Sequence, residues 1–212
     1  DEVRAAYQSV LSELNLIWGE DLSELRDFCP SALPDKESYL HFDPVARPML
    51  NHIGTCRSQT SPAFQPLVNA IIDRAPQFHW IRSYKSEHGV DADFLERYAY
   101  INLVSPAGPF VSDDTRITIA FWGAGLIYPE HWHGPEELYA VVAGSARFRA
   151  TGRAPRKPLV LGSVTRTRTR QGLGTVADPG NGDAKLMGRG GGDRDVARPG
   201  LVAKRPVLAD LL

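Results

Sequence analysis

The chain has 212 residues and a mass of 23.3 kDa, the size of one ordinary domain or of one domain with an added lobe. Apolar residues make up 42% of it and charged residues 23%, so a packed core is expected and global disorder is not. The formal net charge of −1 argues against a general nucleic-acid binder, and no stretch approaches the roughly 18 apolar residues of a membrane-spanning helix.

The two cysteines, Cys29 and Cys56, are too few for a disulfide framework, and their spacing matches no metal site. We expect both to be reduced and structural, which is typical of a cytoplasmic protein. The chain begins at Asp1 rather than at Met, so we expect a trimmed N-terminus, and removal of a leader stays open. The N-terminal residues present have no secretory signal pattern. These features predict a cytoplasmic protein without nucleic-acid or membrane partners.

Helical patterns occupy the N-terminal part of the chain. Apolar residues in 3–18 recur mostly three or four apart, which predicts an amphipathic helix. Leu22 and Leu25 continue the pattern after Gly19, and Cys29-Pro30 and Leu33-Pro34 end it. Ser61 followed by Pro62 predicts the start of a second helix, which extends to about residue 74. A third, shorter helix is expected over 91–97.

The pattern changes after about residue 98. Short β-branched or aromatic runs with alternating hydrophobicity predict strands at 98–104, 116–122, 137–142 and 146–150. Closely spaced strands without intervening helices favour an antiparallel barrel or a jelly roll. We therefore predict a mainly β fold in two parts: a helical N-terminal extension over 1–97 and a small β-barrel over 98–212.

Residues 149–212 differ in composition from the rest. All 8 Phe, 7 Tyr, 4 Trp and 6 His lie before residue 149, whereas the last part has 10 Arg and 3 Lys against 5 Asp and holds 11 of the 19 Gly. One interpretation is a basic, Gly-rich, disordered tail. Another is that the sequence leaves its reading frame near residue 149. The alternating Thr and Arg of 165–170, if encoded by ACN and CGN codons, would alternate His or Asn with Pro or Ser when read one base earlier.

The segment 128–139 carries the residues with the most chemistry. His131 and His133 lie two apart on an expected strand and so point to one side. After a Gly-Pro turn, Glu137 and Tyr139 are again two apart and can face that same side. Two imidazoles, one carboxylate and one phenol would then converge on one point, and imidazole with carboxylate suits Zn²⁺, Fe²⁺, Mn²⁺ or Ni²⁺.

The spacing His-x-His-x₃-Glu, flanked by Pro and Gly-Pro, resembles the first metal motif of the cupin superfamily, whose fold is a double-stranded β-helix. The segment 121–144, with the helical N-terminal extension, further resembles the DddQ-type dimethylsulfoniopropionate lyases of marine bacteria. That family has one Tyr two residues after the metal-binding Glu and another three residues before the first motif His. Tyr139 and Tyr128 match these positions, and the resemblance covers about residues 1–150.

The resemblance implies a carbon–sulfur lyase of the dimethylpropiothetin dethiomethylase type, which splits the zwitterion dimethylsulfoniopropionate into dimethyl sulfide and acrylate. It implies one divalent metal ion (Zn²⁺, Fe²⁺ or Mn²⁺) in a monomer or homodimer. The expected metal ligands are His131, His133, Glu137 and Tyr139, and Tyr139 is the expected catalytic base.

Aromatic side chains near the motif are candidates for contact with the substrate. Tyr128 and Trp132 are the expected substrate-binding residues, since aromatic faces attract onium groups. Trp122, by contrast, is expected to be part of the core.

The second cupin motif is missing from the sequence. In cupins a further His, about 35–40 residues beyond the first motif, completes the metal site. No His follows His133, and the counted distance ends at 168–173, at the end of the Thr-Arg run whose shifted reading permits His and Pro. This coincidence favours the reading-frame interpretation over natural loss of a ligand, and a peptide map of the C-terminal part would test it.

Two other classes of function stay open at this point. Another metal-dependent cupin, a dioxygenase or a sugar-phosphate isomerase, would use the same ligands, and oxygen consumption or a phosphate-binding basic cluster would identify it. A non-catalytic cupin would bind a metal or a small ligand without turnover.

Overall fold

The structure is a computed structural model that describes residues 1–18, 21–29, 33–35, 37–85, 90–128, 137–150, 164–167, 173–177 and 198–204. Five α-helices in these residues precede the first strand. They are α1 (Glu2–Trp18), α2 (Ser23–Phe28), α3 (Leu50–Ile53), α4 (Gln65–Asp73) and α5 (Ala92–Arg97). Two 3₁₀ helices, Gly54–Gln59 and Ala75–Gln77, adjoin α3 and α4.

The helix predictions hold in part. The first apolar stripe forms α1, which ends at Trp18, and a separate helix, α2, begins at Ser23. The prediction of one helix that continues after Gly19 until Cys29-Pro30 is therefore wrong. Ser61 and Pro62 start a turn instead of a helix, because the Phe64 N–H donates to the Ser61 carbonyl and α4 begins only at Gln65. The third predicted helix is confirmed as α5.

Eight strands follow α5 in the described residues. Their bounds are β1 (Tyr98–Ser105), β2 (Phe110–Val111), β3 (Arg116–Trp122), β4 (Glu137–Val141), β5 (Ala146–Ala150), β6 (Val164–Thr167), β7 (Leu173–Ala177) and β8 (Arg198–Lys204). The four strands predicted from alternation correspond to β1, β3, β4 and β5. The short β2 and the three C-terminal strands were not predicted.

The strands form a mixed sheet of six and a separate pair. The order in the large sheet is β2-β1-β3-β8-β4-β6, and β5 pairs with β7. All pairings are antiparallel except that of β1 with β2. The segments 164–167, 173–177 and 198–204 are strands, and β8 lies between β3 and β4 in the large sheet. These segments therefore do not fit the disordered-tail interpretation. The reading-frame interpretation stays a prediction.

Alternation gives the central strands two different faces. On β3, Ile117, Ile119 and Phe121 point into the main hydrophobic core. Alternate residues of the neighbouring strands join them: Ala99, Ile101 and Leu103 of β1 and Leu138 and Ala140 of β4. Helices α1 and α4 bury their apolar stripes in that same core, with Tyr7 against Phe78 at 4.9 Å between ring centroids. The helices thus cover one face of the sheet, and the opposite face of the same strands is left to form a cavity.

Cys29 and Cys56 are both buried and unbridged, as expected for structural cysteines. Within the described part of the chain, no helix combines the length and the apolar character that crossing a membrane requires. One hydrophobic core contains residues from both sides of the predicted boundary between the helical extension and the β-barrel, at residues 97 and 98. The division of the chain into these two parts stays a prediction.

Candidate active site

The face of the sheet that points away from the helices lines a cavity of about 420 Å³. Its walls come from alternate residues of the three central strands: β1 contributes Tyr98, Tyr100 and Asn102, β3 contributes Arg116, Thr118, Ala120 and Trp122, and β4 contributes Glu137 and Tyr139. The loop residues Tyr84 and Tyr128 complete one end. A cavity of this size matches small-molecule sites, which hold a few placed polar groups within largely apolar walls.

Glu137 and Tyr139 form a hydrogen-bonded pair in this cavity. Because they lie two apart on β4, both side chains point to the same face, as the sequence predicted. They are 2% and 6% exposed, and the Tyr139 hydroxyl donates a hydrogen bond to Glu137 Oε2. Burial, and next the charge of Glu137, hold the pKa of Tyr139 well above its usual range. The phenol is therefore a neutral O–H donor to the carboxylate in this state.

Tyr128 lines the same cavity as this pair, from the loop that follows β3. It is 9% exposed, and its hydroxyl lies 3.1 Å from that of Tyr98, which comes from β1. Burial is the main cause that raises the pKa of both phenols. Tyr98 raises the pKa of Tyr128 further, whereas the hydrogen bond with Tyr128 acts to lower the pKa of Tyr98. Three of the predicted site residues, Tyr128, Glu137 and Tyr139, thus meet at one cavity. His131, Trp132 and His133 lie outside the described residues.

Glu137 has the properties of a metal ligand. An ionised carboxylate is costly to bury unless hydrogen bonds or a cation compensate it, and its two oxygens can accept about four contacts. The Tyr139 hydroxyl occupies one of these positions, and the Glu137 side chain lines the cavity. No group of three or more His, Cys, Asp and Glu side chains is found among the described residues, which do not include the two motif histidines. The carboxylate of Glu137 and the phenol of Tyr139, together with the imidazoles that the motif adds, are donor types that fit a divalent cation.

Aromatic residues from outside the motif contribute most of one cavity end. Tyr84 lies 5.5 Å from Tyr128 between ring centroids, Tyr98 lies 5.2 Å and Trp122 lies 6.0 Å from it. The expectation that Trp122 is a core residue is confirmed in part: its partly buried side chain packs against two small clusters of buried residues, and it also lines the cavity. The signal that identifies Tyr98 and Trp122 is the period of two on 98–104 and 116–122, which separates cavity positions from core positions. Tyr84 precedes α5 and lies outside both ranges, so this signal does not identify it.

The other end of the cavity is polar. The Thr118 hydroxyl donates to Asn102 Oδ1 at 3.2 Å, and Arg116 lies at the start of β3 on the same face. Arg116 and Glu137 lie opposite the same residue, Lys204, because β8 separates β3 from β4. Arg116 Nε is buried and has no hydrogen-bond partner within the part of the chain that the structure describes. A cationic side chain with capacity to donate therefore faces the cavity.

Comparison with known proteins agrees with this geometry. The family model for dimethylsulfoniopropionate lyase matches residues 33–162, more than half of the chain. The dimethylsulfoniopropionate lyase DddQ of Ruegeria pomeroyi is 31% identical over 152 residues, which cover 72% of this chain and 74% of that protein.

Two solved structures are similar over nearly the whole chain. One is a chain from crystal structures of the dimethylsulfoniopropionate lyases RdDddP and RnDddQII, with a TM-score of 0.81, 28% identity and coverage of 98% of this chain and 96% of that one. The other is DddQ from Ruegeria pomeroyi, with a TM-score of 0.76, 27% identity and coverage of 96% and 93%. By its matched segment and by these relatives, the chain belongs to the dimethylsulfoniopropionate lyase family.

Proposed function

We propose that this protein is a metal-dependent carbon–sulfur lyase that cleaves dimethylsulfoniopropionate into dimethyl sulfide and acrylate. The observation that carries the proposal is the buried Glu137–Tyr139 pair in an aromatic-lined cavity, in a chain of this family. The cavity offers what the substrate needs: a base, donors for a carboxylate and a wall without charge for the onium group.

The reaction is a β-elimination. A base removes a proton from the carbon next to the carboxylate, the electron pair of that C–H bond forms the new C=C bond, and the C–S electrons leave with dimethyl sulfide. The proton is weakly acidic, so the site must stabilise the negative charge that develops toward the carboxylate.

Tyr139 is the side chain best placed to act as the base. Its hydroxyl faces the cavity, and its contact with Glu137 fixes the direction of the O–H bond. Its raised pKa means that Glu137 and burial alone keep the phenol protonated. A base of this kind works only if positive charge near Glu137 stabilises the phenolate.

We propose His131, His133 and Glu137 as the residues that hold the divalent cation, with Tyr139 as a further ligand. When bound, a divalent cation supplies the positive charge that stabilises both the phenolate and the substrate carboxylate. Zn²⁺, Fe²⁺ and Mn²⁺ all suit this donor set, so the metal stays a matter for experiment.

The other residues of the site bind and orient the substrate. Tyr128 and Trp132 are proposed to contact it, which for Tyr128 is supported by its place in the cavity wall. Arg116 supplies a positive charge toward the end of the cavity where Glu137 begins β4, and it is suited to donate to the substrate carboxylate. Asn102 and Thr118, which pair across β1 and β3, follow Arg116 along the cavity toward Tyr98 and Trp122.

The antiparallel strands that follow residue 98 are compatible with a cupin double-stranded β-helix, which we propose as the complete fold. A cytoplasmic location and a monomeric or homodimeric state stay predictions.

Product analysis tests the proposed function. Purified protein is incubated with dimethylsulfoniopropionate, headspace dimethyl sulfide is measured by gas chromatography, and acrylate is measured in the same sample. We expect equal amounts of the two products and no oxygen consumption. Oxygen uptake with another product would indicate a cupin dioxygenase, and metal binding without any product would indicate a binding protein.

A further inference from the structure

Two arginines, Arg47 and Arg82, lie on adjacent segments of the chain that precede β1. These segments run side by side in parallel, because Val45 pairs with His79. The Arg47 Nε–H donates to the Trp80 carbonyl at 3.1 Å, two residues before Arg82. The backbone pairing and this hydrogen bond hold the two side chains at neighbouring positions.

The segment that carries Arg82 is fixed from its other side as well. Ile81 and Tyr100 of β1 exchange two backbone hydrogen bonds, at 2.9 and 3.0 Å. Both Arg47 and Arg82 are partly buried. Side chains that are partly buried on a fixed backbone have fewer positions open to them, so a ligand that binds them has less ordering to compensate.

The positive charge of this pair is incompletely compensated. Neither guanidinium forms an ion pair with a carboxylate of the described residues, whereas Arg57 and Arg97 each form one. Burial, and next the charge of Arg47, lower the pKa of Arg82. The carboxylate of Glu96 acts on that pKa in the opposite direction and has the smaller effect of the two charges. The two arginines therefore form a local excess of positive charge.

Arg82 also has a donor without an acceptor. Its Nε is buried and has no hydrogen-bond partner in the part of the chain that the structure describes. Like charges side by side repel each other, and a polar group that is buried without a partner is costly. An anion between the two guanidinium groups would offset the repulsion, and their planar sets of N–H donors match the oxygens of an oxyanion.

We infer that Arg47 and Arg82 form a binding site for a small oxyanion, either phosphate or a carboxylate, apart from the active-site cavity. The anion lies between the two guanidinium groups and accepts hydrogen bonds from both. Glu96 competes with it for Arg82. The inference does not rest on the proposed function, because neither arginine is among the residues that the structure describes as lining the cavity.

Titration of the full chain with sodium phosphate tests the site. The Nε–H resonances of Arg47 and Arg82 are followed in two-dimensional proton–nitrogen NMR spectra, with sodium chloride exchanged for phosphate at constant ionic strength. We expect both resonances to shift along one saturable curve. A second titration with sodium acetate shows whether a carboxylate or phosphate is the preferred oxyanion, and saturation by either one supports the site.

Variants locate the binding of phosphate, which is measured in each from the resonance of the remaining arginine. Arg47→Gln and Arg82→Gln should each weaken it about tenfold or more, as expected for loss of a charge-assisted contact. Arg82→Lys should weaken it less, because the charge remains. Glu96→Gln should strengthen it severalfold. Arg26→Gln is the matched control: it removes an equal charge from the exposed side of α2 and should leave binding unchanged.

Shifts that do not saturate with either anion, or equal weakening in Arg26→Gln and Arg82→Gln, would overturn the inference, since both indicate general screening of charge. Thermal unfolding gives a second measurement that does not depend on the NMR resonances. Phosphate should raise the Tm of the wild type and leave that of Arg82→Gln unchanged, compared with chloride at equal ionic strength. An equal rise in both proteins, or none in the wild type, would also contradict the site.

Discussion

At the scale of single residues, the pair Glu137 and Tyr139 separates binding of the metal from chemistry. The two side chains share a hydrogen bond and a face of β4, yet Glu137 is proposed to hold the metal and Tyr139 to remove the proton. A carboxylate is a strong ligand for a divalent cation, whereas a phenol is a weak one unless it is ionised. Substitution at each position should therefore produce a different combination of defects.

Tyr139→Phe should keep the metal content and lose turnover of dimethylsulfoniopropionate by about 10²–10⁴-fold, the usual contribution of a general base. Glu137→Gln should lose both the metal and turnover. Metal is measured by plasma mass spectrometry after gel filtration, and turnover by headspace dimethyl sulfide. If Tyr139→Phe loses its metal together with its activity, Tyr139 serves only as a ligand and its assignment as the base is contradicted.

Arg116→Gln should raise KM for dimethylsulfoniopropionate about tenfold with little change in kcat, as expected for loss of one charge-assisted hydrogen bond. Arg116→Lys should recover part of the affinity, because it restores the charge without the planar donor fork. Initial rates over a range of substrate concentrations provide both constants. An unchanged KM in Arg116→Gln would mean that this guanidinium does not contact the substrate.

Sequence patterns locate the residues of this site unequally. Glu137, Tyr139 and Tyr128 belong to one short motif, and the period of a strand is enough to bring the first two together. Tyr84 and Tyr98 lie 55 and 41 positions before Tyr139 in the chain. Only the pairing of β1 with β3 brings Tyr98 beside Trp122, and such long-range pairing is not contained in a local pattern.

At the scale of elements, α5 packs against the aromatic end of the cavity, where its Phe94 contacts Tyr84, Tyr98 and Tyr128. The Asp91 carboxylate caps the helix by accepting a hydrogen bond from the Phe94 N–H at 2.7 Å. The Arg97 carbonyl accepts the N–H of Gly123 at 2.8 Å, and the Arg97 side chain donates to the Ala124 carbonyl. A Cβ on Gly123 would lie 2.6 Å from that of Arg97, so only Gly fits this contact. The helix thereby fixes the turn that leads from β3 to Tyr128.

Asp91→Ala should lower the free energy of unfolding by about 1 kcal/mol, the typical value of a lost N-cap. Asp91→Ser should retain most of it, because a hydroxyl can also accept the Phe94 N–H. Urea unfolding followed by circular dichroism compares the three proteins. Equal stability of Asp91→Ala and the wild type, or equal losses in both variants, would show that the cap does not stabilise α5.

The elements also show where local patterns are sufficient. Strand β3 is predicted to the residue, because its β-branched and aromatic residues alternate between two buried environments. The start of α4 is not predicted correctly, because a Ser-Pro pair fits a turn as well as a helix N-terminus. Here Ser61 and Pro62 form a turn. Strand β8 escapes prediction since Arg198, Pro199 and Gly200 have low strand propensity, and its place between β3 and β4 depends on both neighbours.

At the scale of the whole molecule, several buried phenols link stability to pH. Tyr7 accepts a hydrogen bond from the His79 backbone N–H at 2.9 Å, and burial raises its pKa from 10.0 to about 12. In the unfolded chain the phenol ionises near pH 10, whereas the folded protein keeps the proton up to about pH 12. The stabilisation is therefore fully present below pH 10 and is lost as the pH rises toward 12.

We expect the free energy of unfolding to fall by roughly 2 kcal/mol from this residue between pH 10 and 12. Tyr98 and Tyr128, whose pKa values are also raised, add in the same direction. Tyr7→Phe should be less stable by about 1 kcal/mol at pH 8, because the His79 N–H loses its acceptor, but less sensitive to alkaline pH. Urea unfolding at a series of pH values tests this, and identical pH slopes would contradict it.

The measurement that tests the central claim most directly is metal depletion and reconstitution of the purified protein. Dimethyl sulfide and acrylate release from dimethylsulfoniopropionate is followed before chelation, after chelation, and after addition of Zn²⁺, Fe²⁺ or Mn²⁺ to separate samples, with circular dichroism to monitor folding. We predict that chelation abolishes release without unfolding the protein and that at least one of these ions restores it. Folded protein that binds an ion and still releases no product, or release that chelation does not change, would contradict a metal-dependent lyase.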